Sequence, residues 1–232
     1  MNQVLALRHA SEDTQITAKS EFERTVAKTI AGFPAARLLQ LIDAGRVEMR
    51  HYHAILATLF PQTYSSPYTF ARAAVNCSPQ HEAAKEYLLR HAEEERTHWR
   101  WVLDDLRATN YAGPDPREEP PHYTAQAYIG LNYFISEECP VARLAIAAAI
   151  EGIAAAHGGN YGSRLLSAMR LQKSQASFFL SHALTDVTHS AELNTVIATL
   201  TLTNEEWRWM NHAAATAGRF YRGMYDHESF ES

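Results

Sequence analysis

Apolar residues recur at three- and four-residue intervals along almost the whole chain, which is the signature of amphipathic helices. Ile16, Phe22, Val26 and Ile30 line one face of a helix over residues 14–31, with Asp13 or Thr14 as its cap and Gly32 as its end. A short helix over 35–44 follows Pro34 and stops at Gly45. A longer one covers 47–75, with kinks expected at Pro61 and Pro67. Ser78-Pro79 predicts a helix start and a run to about residue 109, roughly 45 Å at 1.5 Å per residue. Four prolines make 111–122 a loop. A Tyr- and Phe-rich helix follows over 124–137, and Pro140 opens an Ala-rich helix that Gly158-Gly159 ends or bends. A short helix over 160–169 precedes one from about 172 to 200, bending near Ser190. Thr203 and Glu206 form a capping box for a last helix reaching about residue 225.

No stretch alternates with strand period, so the expected fold is all-α, one bundle of seven or more helices. A single helical domain over 1–232 is the simplest organisation, with 1–13 and 228–232 as flexible tails. At 232 residues and 46% hydrophobic content the chain can bury one sizeable core, and 10 glycines and 9 prolines are too few for a loop-rich protein. The net charge of −5, with no basic run, argues against nucleic acid and anionic membrane as partners. Cys77 and Cys139 stand in no metal or redox spacing, and the start of the chain has no signal-peptide pattern, which together point to a reducing, cytoplasmic setting. The most apolar run, 141–156, is interrupted by Arg143 and Glu151 and is too short and too charged for a membrane span.

Chemistry concentrates in two segments with one spacing. His182, Asp186 and His189 stand at i, i+4 and i+7, and so do His91, Glu95 and His98. On a helix such positions fall within about 60° of one another, so each trio leaves one face. The rise from i to i+7 is about 10 Å, too long for both histidines to hold one ion but suited to two ions a few ångströms apart. Imidazole with carboxylate is ligand chemistry for non-haem iron, manganese and zinc. Glu95-x-x-His98 and Asp186-x-x-His189 match the paired motifs of di-metal bundles, and Glu151 offers a lone carboxylate inside an Ala-rich run where an unpaired charge is costly. Each residue also has a plainer explanation. His91 could be solvated, Glu93-Glu94-Glu95 could be a wet helix face, and Glu151 could pair with Arg143 or Arg164. Glu95 is preferred within its run because it mirrors Asp186. Phe178, Phe179, Leu184 and Val187 predict that the second motif helix is largely buried. The natural fourth helix, 47–75, offers Gln62, Tyr64, His51 and His53 but no acid beyond Glu48 near its start. His51, His53, His157 and His212 have no patterned partner.

Phe178-Phe179-Leu180-Ser181-His182 leading to Asp186-x-x-His189 resembles the last core helix of haem-oxygenase-like di-iron oxidases. Glu94-Glu95-Arg96-Thr97-His98 before Asp104-Asp105-Leu106, and Pro140-Val141-Ala142-Arg143-Leu144 before Glu151-Gly152, are similar to two further core segments of that superfamily, which also includes TenA-like and PqqC-like proteins. The resemblance spans about residues 35–225. It implies a haem-oxygenase-like bundle with Glu95, His98, Glu151, His182, Asp186 and His189 as ligands of two irons, and His91 where some members place a further carboxylate. It implies an oxidase or oxygenase that uses O2 on a small amino-acid-like or fatty-acid-like substrate. The chain departs from the family on the first core helix, where Gln62 or Tyr64 stands in place of a glutamate, so one iron site is expected to be the weaker. A metal-poor, TenA-like ligand-binding protein, or a thiamine-salvage-type hydrolase relying on Cys139, is the alternative. Haem fits poorly, since His51 and His53 lie in no haem-pocket pattern. Gln62, Tyr64, Tyr128, Tyr133, Phe134 and Phe179 are candidate walls of the substrate pocket. A homodimer is compatible with this reading.

Overall fold

A computed structural model describes the backbone of residues 2–231 and the side chains of 17–231. Ten α-helices are present among them: α1 (Asn2–Gly32), α2 (Arg37–Asp43), α3 (Met49–Asn76), α4 (Glu82–Glu95), α5 (Trp99–Ala108), α6 (Tyr123–Glu138), α7 (Arg143–Ile153), α8 (Gly159–Met169), α9 (Ser177–Thr199) and α10 (Asn204–Gly223). No strand occurs among the described residues.

The most apolar helix takes the centre. In α7 every residue except Ile150 is buried, and α1, α6, α9 and α10 pack around it. Close approach of α1 follows from small residues: Ile30 lies over Gly152, and Thr29 over Gly218 of α10. On the other side α3 packs against α4, α5 and α6, and α9 bridges α4 and α5 to α7. The segments that carry the candidate ligands, α4, α5, α7 and α9, therefore meet in one interior.

Local signals placed most boundaries well. Thr203 Oγ1 accepts from the Glu206 N–H at 3.2 Å, and the Glu206 carboxylate accepts from the Thr203 N–H at 2.7 Å, as the capping box requires. At the start of α3 His51 Nδ1 accepts from the Glu48 N–H at 3.0 Å, and α3 carries on through Pro61 and Pro67.

Several expectations need correction. α1 begins at Asn2, so residue 14 is not its start, and the side chains of Asp13 and Thr14 lie outside the described residues. The helix expected from 78 to 109 is two helices, broken at Arg96-Thr97-His98. There the Arg96 and His98 N–H groups bond back three residues, to Glu93 and Glu95, and the Trp99 indole N–H caps the Arg96 carbonyl at 3.2 Å. α9 runs through Ser190 without interruption. The segment after 227 is a packed 3₁₀ turn, Glu228–Phe230, with Phe230 fully buried against His227 and His51.

Gly158-Gly159 does not end its helical run. A π turn, Ala154–Gly158, joins α7 directly to α8. The combined run Pro140–Met169 is long and apolar enough to cross a membrane, but its most apolar window is 67% buried inside the bundle.

Candidate metal centre

Glu95, His98 and His182 each offer a nitrogen or oxygen, and these atoms lie within 4.8 Å of one another. Glu95 and His98 are buried and His182 is half-buried. The broken helix explains the fit. In a turn bonded i to i−3, residues i and i+3 eclipse, so His98 stands directly over Glu95 with Nδ1 2.9 Å from Oε1. His182 arrives from α9, its ring 4.9 Å from that of His98 and at 85° to it. The hydrogen bond of His182 Nδ1 to the Phe178 carbonyl, at 3.0 Å, assigns the proton to Nδ1 and leaves the Nε2 lone pair free for a metal. Trp101 stacks on His98 at 4.2 Å and Phe178 packs on His182 at 4.4 Å, so both rings are held in place.

The second motif halves meet beside this trio. His91 Nε2 lies 3.1 Å from Glu151 Oε1 and 3.9 Å from Glu95 Oε1. His189 Nδ1 lies 3.6 Å from Asp186 Oδ1, and the rings of His91 and His189 are 4.6 Å apart. A second compact donor set joins His91, His189 and Glu94, with Glu94 Oε2 3.7 Å from His91 Nδ1 and 3.4 Å from His189 Nε2. Glu94 is the half-exposed rim of that set. Sequence reasoning passed over it in favour of Glu95, although its i+3 spacing from His91 was available.

The chemistry of these donors suits metal. His91 Nδ1, His98 Nδ1, His189 Nδ1 and both Glu151 oxygens are buried with no hydrogen-bond partner. They sit close to one another but are not aligned to bond one another, which is the arrangement of lone pairs directed at common points. A buried carboxylate left in this state would cost several kcal/mol. Burial pushes Glu151 above the usual carboxylate range, against the pull of His91. Burial would also raise Glu95, but the His98 contact and the charges of His182, His98 and His91 bring it down to about 2. The Asp186 contact lifts His189 to about 9, with burial opposing. Neither arginine pairs with Glu151: Arg164 turns to Asp43, and Arg143 makes no ion pair among the described residues.

A cavity of about 120 Å³ adjoins the centre. His91, Glu95, Glu151, His182 and Asp186 line it, and so do Phe33, Leu38, Ile42 and Leu165. Gln62, Tyr128 and Phe179 are in its wall as expected. Tyr64, Tyr133 and Phe134 are not. Tyr64 is exposed beside Tyr68 and Trp99, and Tyr133 and Phe134 sit five and six residues past Tyr128, turned about 140° and 240° away from its buried face. Leu184 and Val187 also point outward, 77% and 56% exposed, so α9 is buried on its ligand face only. His157 has no patterned partner in the sequence. The π turn brings it into the cavity wall, where its Nε2 lies 2.9 Å from the Ile30 carbonyl. His51 and His53 stay away from the centre, in the α3 cap and against Thr109.

Residues 54–221 match the protein family described as iron-containing redox enzyme. Among curated proteins none matches the sequence. Among solved structures, a haem-oxygenase-like domain of unknown function from Shewanella denitrificans superposes with a TM-score of 0.81 at 17% identity, over 89% of each chain. A TenA homologue from Pseudomonas syringae gives 0.71 at 16% identity over 90% of this chain and 91% of that one. One from P. horikoshii gives 0.69 at 12% over 91% and 96%. These likenesses establish a haem-oxygenase-like, TenA-like all-α fold.

Proposed function

This chain belongs to the iron-containing redox enzyme family, and we propose that it is an O2-dependent oxidase or oxygenase that uses two non-haem irons on a small amino-acid-like or fatty-acid-like substrate. The observation that carries this is the convergence of Glu95, His98 and His182, with His91, Glu151, Asp186 and His189 beside them, where His91 Nδ1, His98 Nδ1, His189 Nδ1 and both Glu151 oxygens are buried without a hydrogen-bond partner. Bound ferrous iron would supply the electrons and the open coordination positions for O2.

The protein's own part is positional. Glu95, held well below its ordinary value, is ionised at neutral pH and ready to bind a cation. The Phe178 carbonyl keeps His182 in one tautomer. Phe70, 4.4 Å from His91, and Phe178 keep water from the ligand rings, and the cavity leaves one side of the cluster open to a small molecule.

A second reading draws on α3, which presents Gln62 and no carboxylate to the cavity. It makes the protein a TenA-like bundle that binds a small ligand without redox chemistry. The hydrolase version of that reading needs a reactive thiol, whereas Cys139 lies outside the cavity wall and burial pushes its thiol up to about 11. Anaerobic loading with Fe(II) followed by metal analysis separates the readings. About two irons per chain, with a visible-absorbance change on exposure to O2, is the expected result. No tight iron binding, with His98→Ala and His182→Ala as stable as the parent protein, would overturn the first reading in favour of the second.

A further inference from the structure

Away from the centre described above, His122, His227 and Glu228 each offer a donor atom, and the three atoms lie within 4.8 Å of one another. His122 stands at the entry to α6, at the end of the proline-rich loop. Glu228, 106 positions later, belongs with His227 to the C-terminal turn. His227 is buried, His122 is half-buried and Glu228 is exposed. The two imidazole rings are 4.3 Å apart, and His122 Nε2 lies 3.2 Å from Glu228 Oε1.

A histidine that holds a metal keeps its other ring nitrogen on a fixed partner, and both rings have one. The Thr58 hydroxyl donates to the Ala54 carbonyl at 2.8 Å, so its oxygen accepts from His227 Nε2 at 3.1 Å. The proton of His227 is thereby assigned to Nε2. The lone pair it can give is on Nδ1, where a 3.3 Å contact from the Ser229 N–H is the present partner. At His122 the Thr124 hydroxyl lies 2.8 Å from Nδ1 and the Thr124 N–H 3.4 Å from it. Moving the imidazole proton from Nε2 to Nδ1 gives up the longer contact, makes Nδ1 a donor to the hydroxyl and frees Nε2 beside Glu228. A lone ion pair of His122 with the exposed Glu228 would add little stability and calls for no second imidazole beside it.

We propose that His122, His227 and Glu228 hold a divalent ion of the zinc class, which pins the C-terminal turn to the start of α6. Two imidazoles and one carboxylate suit zinc and its neighbours and supply too few oxygens for calcium or magnesium. The exposed side of Glu228 leaves a fourth position to water. The same C-terminal segment seats α2: Asp226 Oδ1 accepts the Arg37 N–H at 2.6 Å, and the Tyr225 carbonyl accepts the Leu38 N–H at 3.0 Å. Leu38 and Tyr225 line the central cavity, so the ion steadies one of its walls from outside. The site shares no residue with the proposed iron centre and stands without it.

The test titrates Zn(II) into the full-length, chelator-stripped protein, with calorimetry and nitrogen NMR of the imidazole rings as readouts. His122→Asn removes the imidazole and keeps a good helix cap, and Glu228→Gln keeps the shape of the carboxylate. Either variant is expected to take up one equivalent of Zn(II) fewer than the parent. In the parent, the ring signals of His122 and His227 are expected to shift with that equivalent, and the unfolding temperature to rise in a way His122→Asn does not share. Thr58→Val, which leaves all three ligands in place, is expected to bind that ion roughly 10–100-fold more weakly. Iron uptake by His122→Asn equal to that of the parent is expected, since no ligand is shared. Equal Zn(II) uptake by the parent and both variants, or Zn(II) that shifts only the rings of His91, His98, His182 and His189, overturns the site. So does a response of His122 and His227 that saturates only at millimolar Zn(II), which would be an adventitious ion only.

Discussion

The Asp105 carboxylate of α5 accepts the backbone N–H of Phe178 on α9 at 2.9 Å. It also accepts Ser177 N–H at 2.8 Å, Ser177 Oγ–H at 2.7 Å and the Tyr52 hydroxyl at 3.2 Å, all while fully buried. The first N–H groups of a helix have no partner within it, and here the cap is lent by another helix. The contact ties α5, which begins just after His98, to the first turn of α9, which leads to His182. Asp105→Asn keeps the size and loses the charge. It is expected to cost about 1.5–3 kcal/mol in urea unfolding, the range for hydrogen bonds to a charged group, and to lower iron uptake as His182 loosens. An unchanged unfolding midpoint would show that the cap adds nothing.

The two donor sets should separate under substitution. His182→Ala removes a donor from the Glu95 trio, and iron analysis should show the loss of about one equivalent. Glu94→Gln alters the half-exposed rim beside His91 and His189, where Glu94 also lies 3.8 Å from Arg90 Nε. It should leave the Glu95 trio occupied and weaken the other position, which a titration with limiting Fe(II) would reveal as one tight and one weakened step. Equal weakening of both steps would mean that Glu94 belongs to neither set in particular.

Acid should destabilise the protein through His227. Burial, with a smaller push from the charge of His122, lowers its pKa to about 4, against 6.5 for the free side chain. The unfolded chain therefore takes up this proton first as pH falls. Stability is full above about pH 6.5, declines between 6.5 and 4, and levels off for this group below 4, a change on the order of 3 kcal/mol. His227→Gln can keep the contact to Thr58 Oγ1, now 3.1 Å, without titrating. Urea midpoints measured from pH 7 to 4 should fall less steeply for this variant than for the parent.

The C-terminal turn is expected to be structural. Phe230 has no exposed surface and packs 4.3 Å from His227. Phe230→Ala should cost about 3–5 kcal/mol by calorimetry, as for other buried aromatic deletions. A change below about 1 kcal/mol would place the turn outside the folding unit.

Much of this was legible before the structure. The bundle follows from helical periodicity, and the clustering of the candidate ligands from two His–carboxylate–His spacings, because face-sharing on a helix is a local property. What escaped depends on phase or on distant partners. Tyr133 and Phe134 are as aromatic as Tyr128, and only the rotation of α6 separates them. Asp105 sits in a motif visible in the sequence, but its partners lie 72 and 73 residues away. Arg143 reads as an ordinary helix-opening arginine, and that it has no ion pair among the described residues but sits over Phe70 emerges only from three-dimensional packing. The early start of α1 defeated the cap expected at Asp13 or Thr14, since a polar residue with capping chemistry can equally lie within a helix.

The break at Arg96-Thr97-His98 has a consequence for how this chain can tolerate insertions and deletions. A residue added within α4 would rotate the rest of that helix by about 100°, carrying Glu95 out of its place. Because α4 ends at a tight turn, that turn can absorb a change of register. His98 and α5 can keep their seat, fastened independently through Asp105 to α9. A library of single-residue insertions would read this directly. Insertions in the turn should leave a folded bundle with a damaged metal centre, whereas insertions in the middle of α7, packed on every side, should leave no bundle at all.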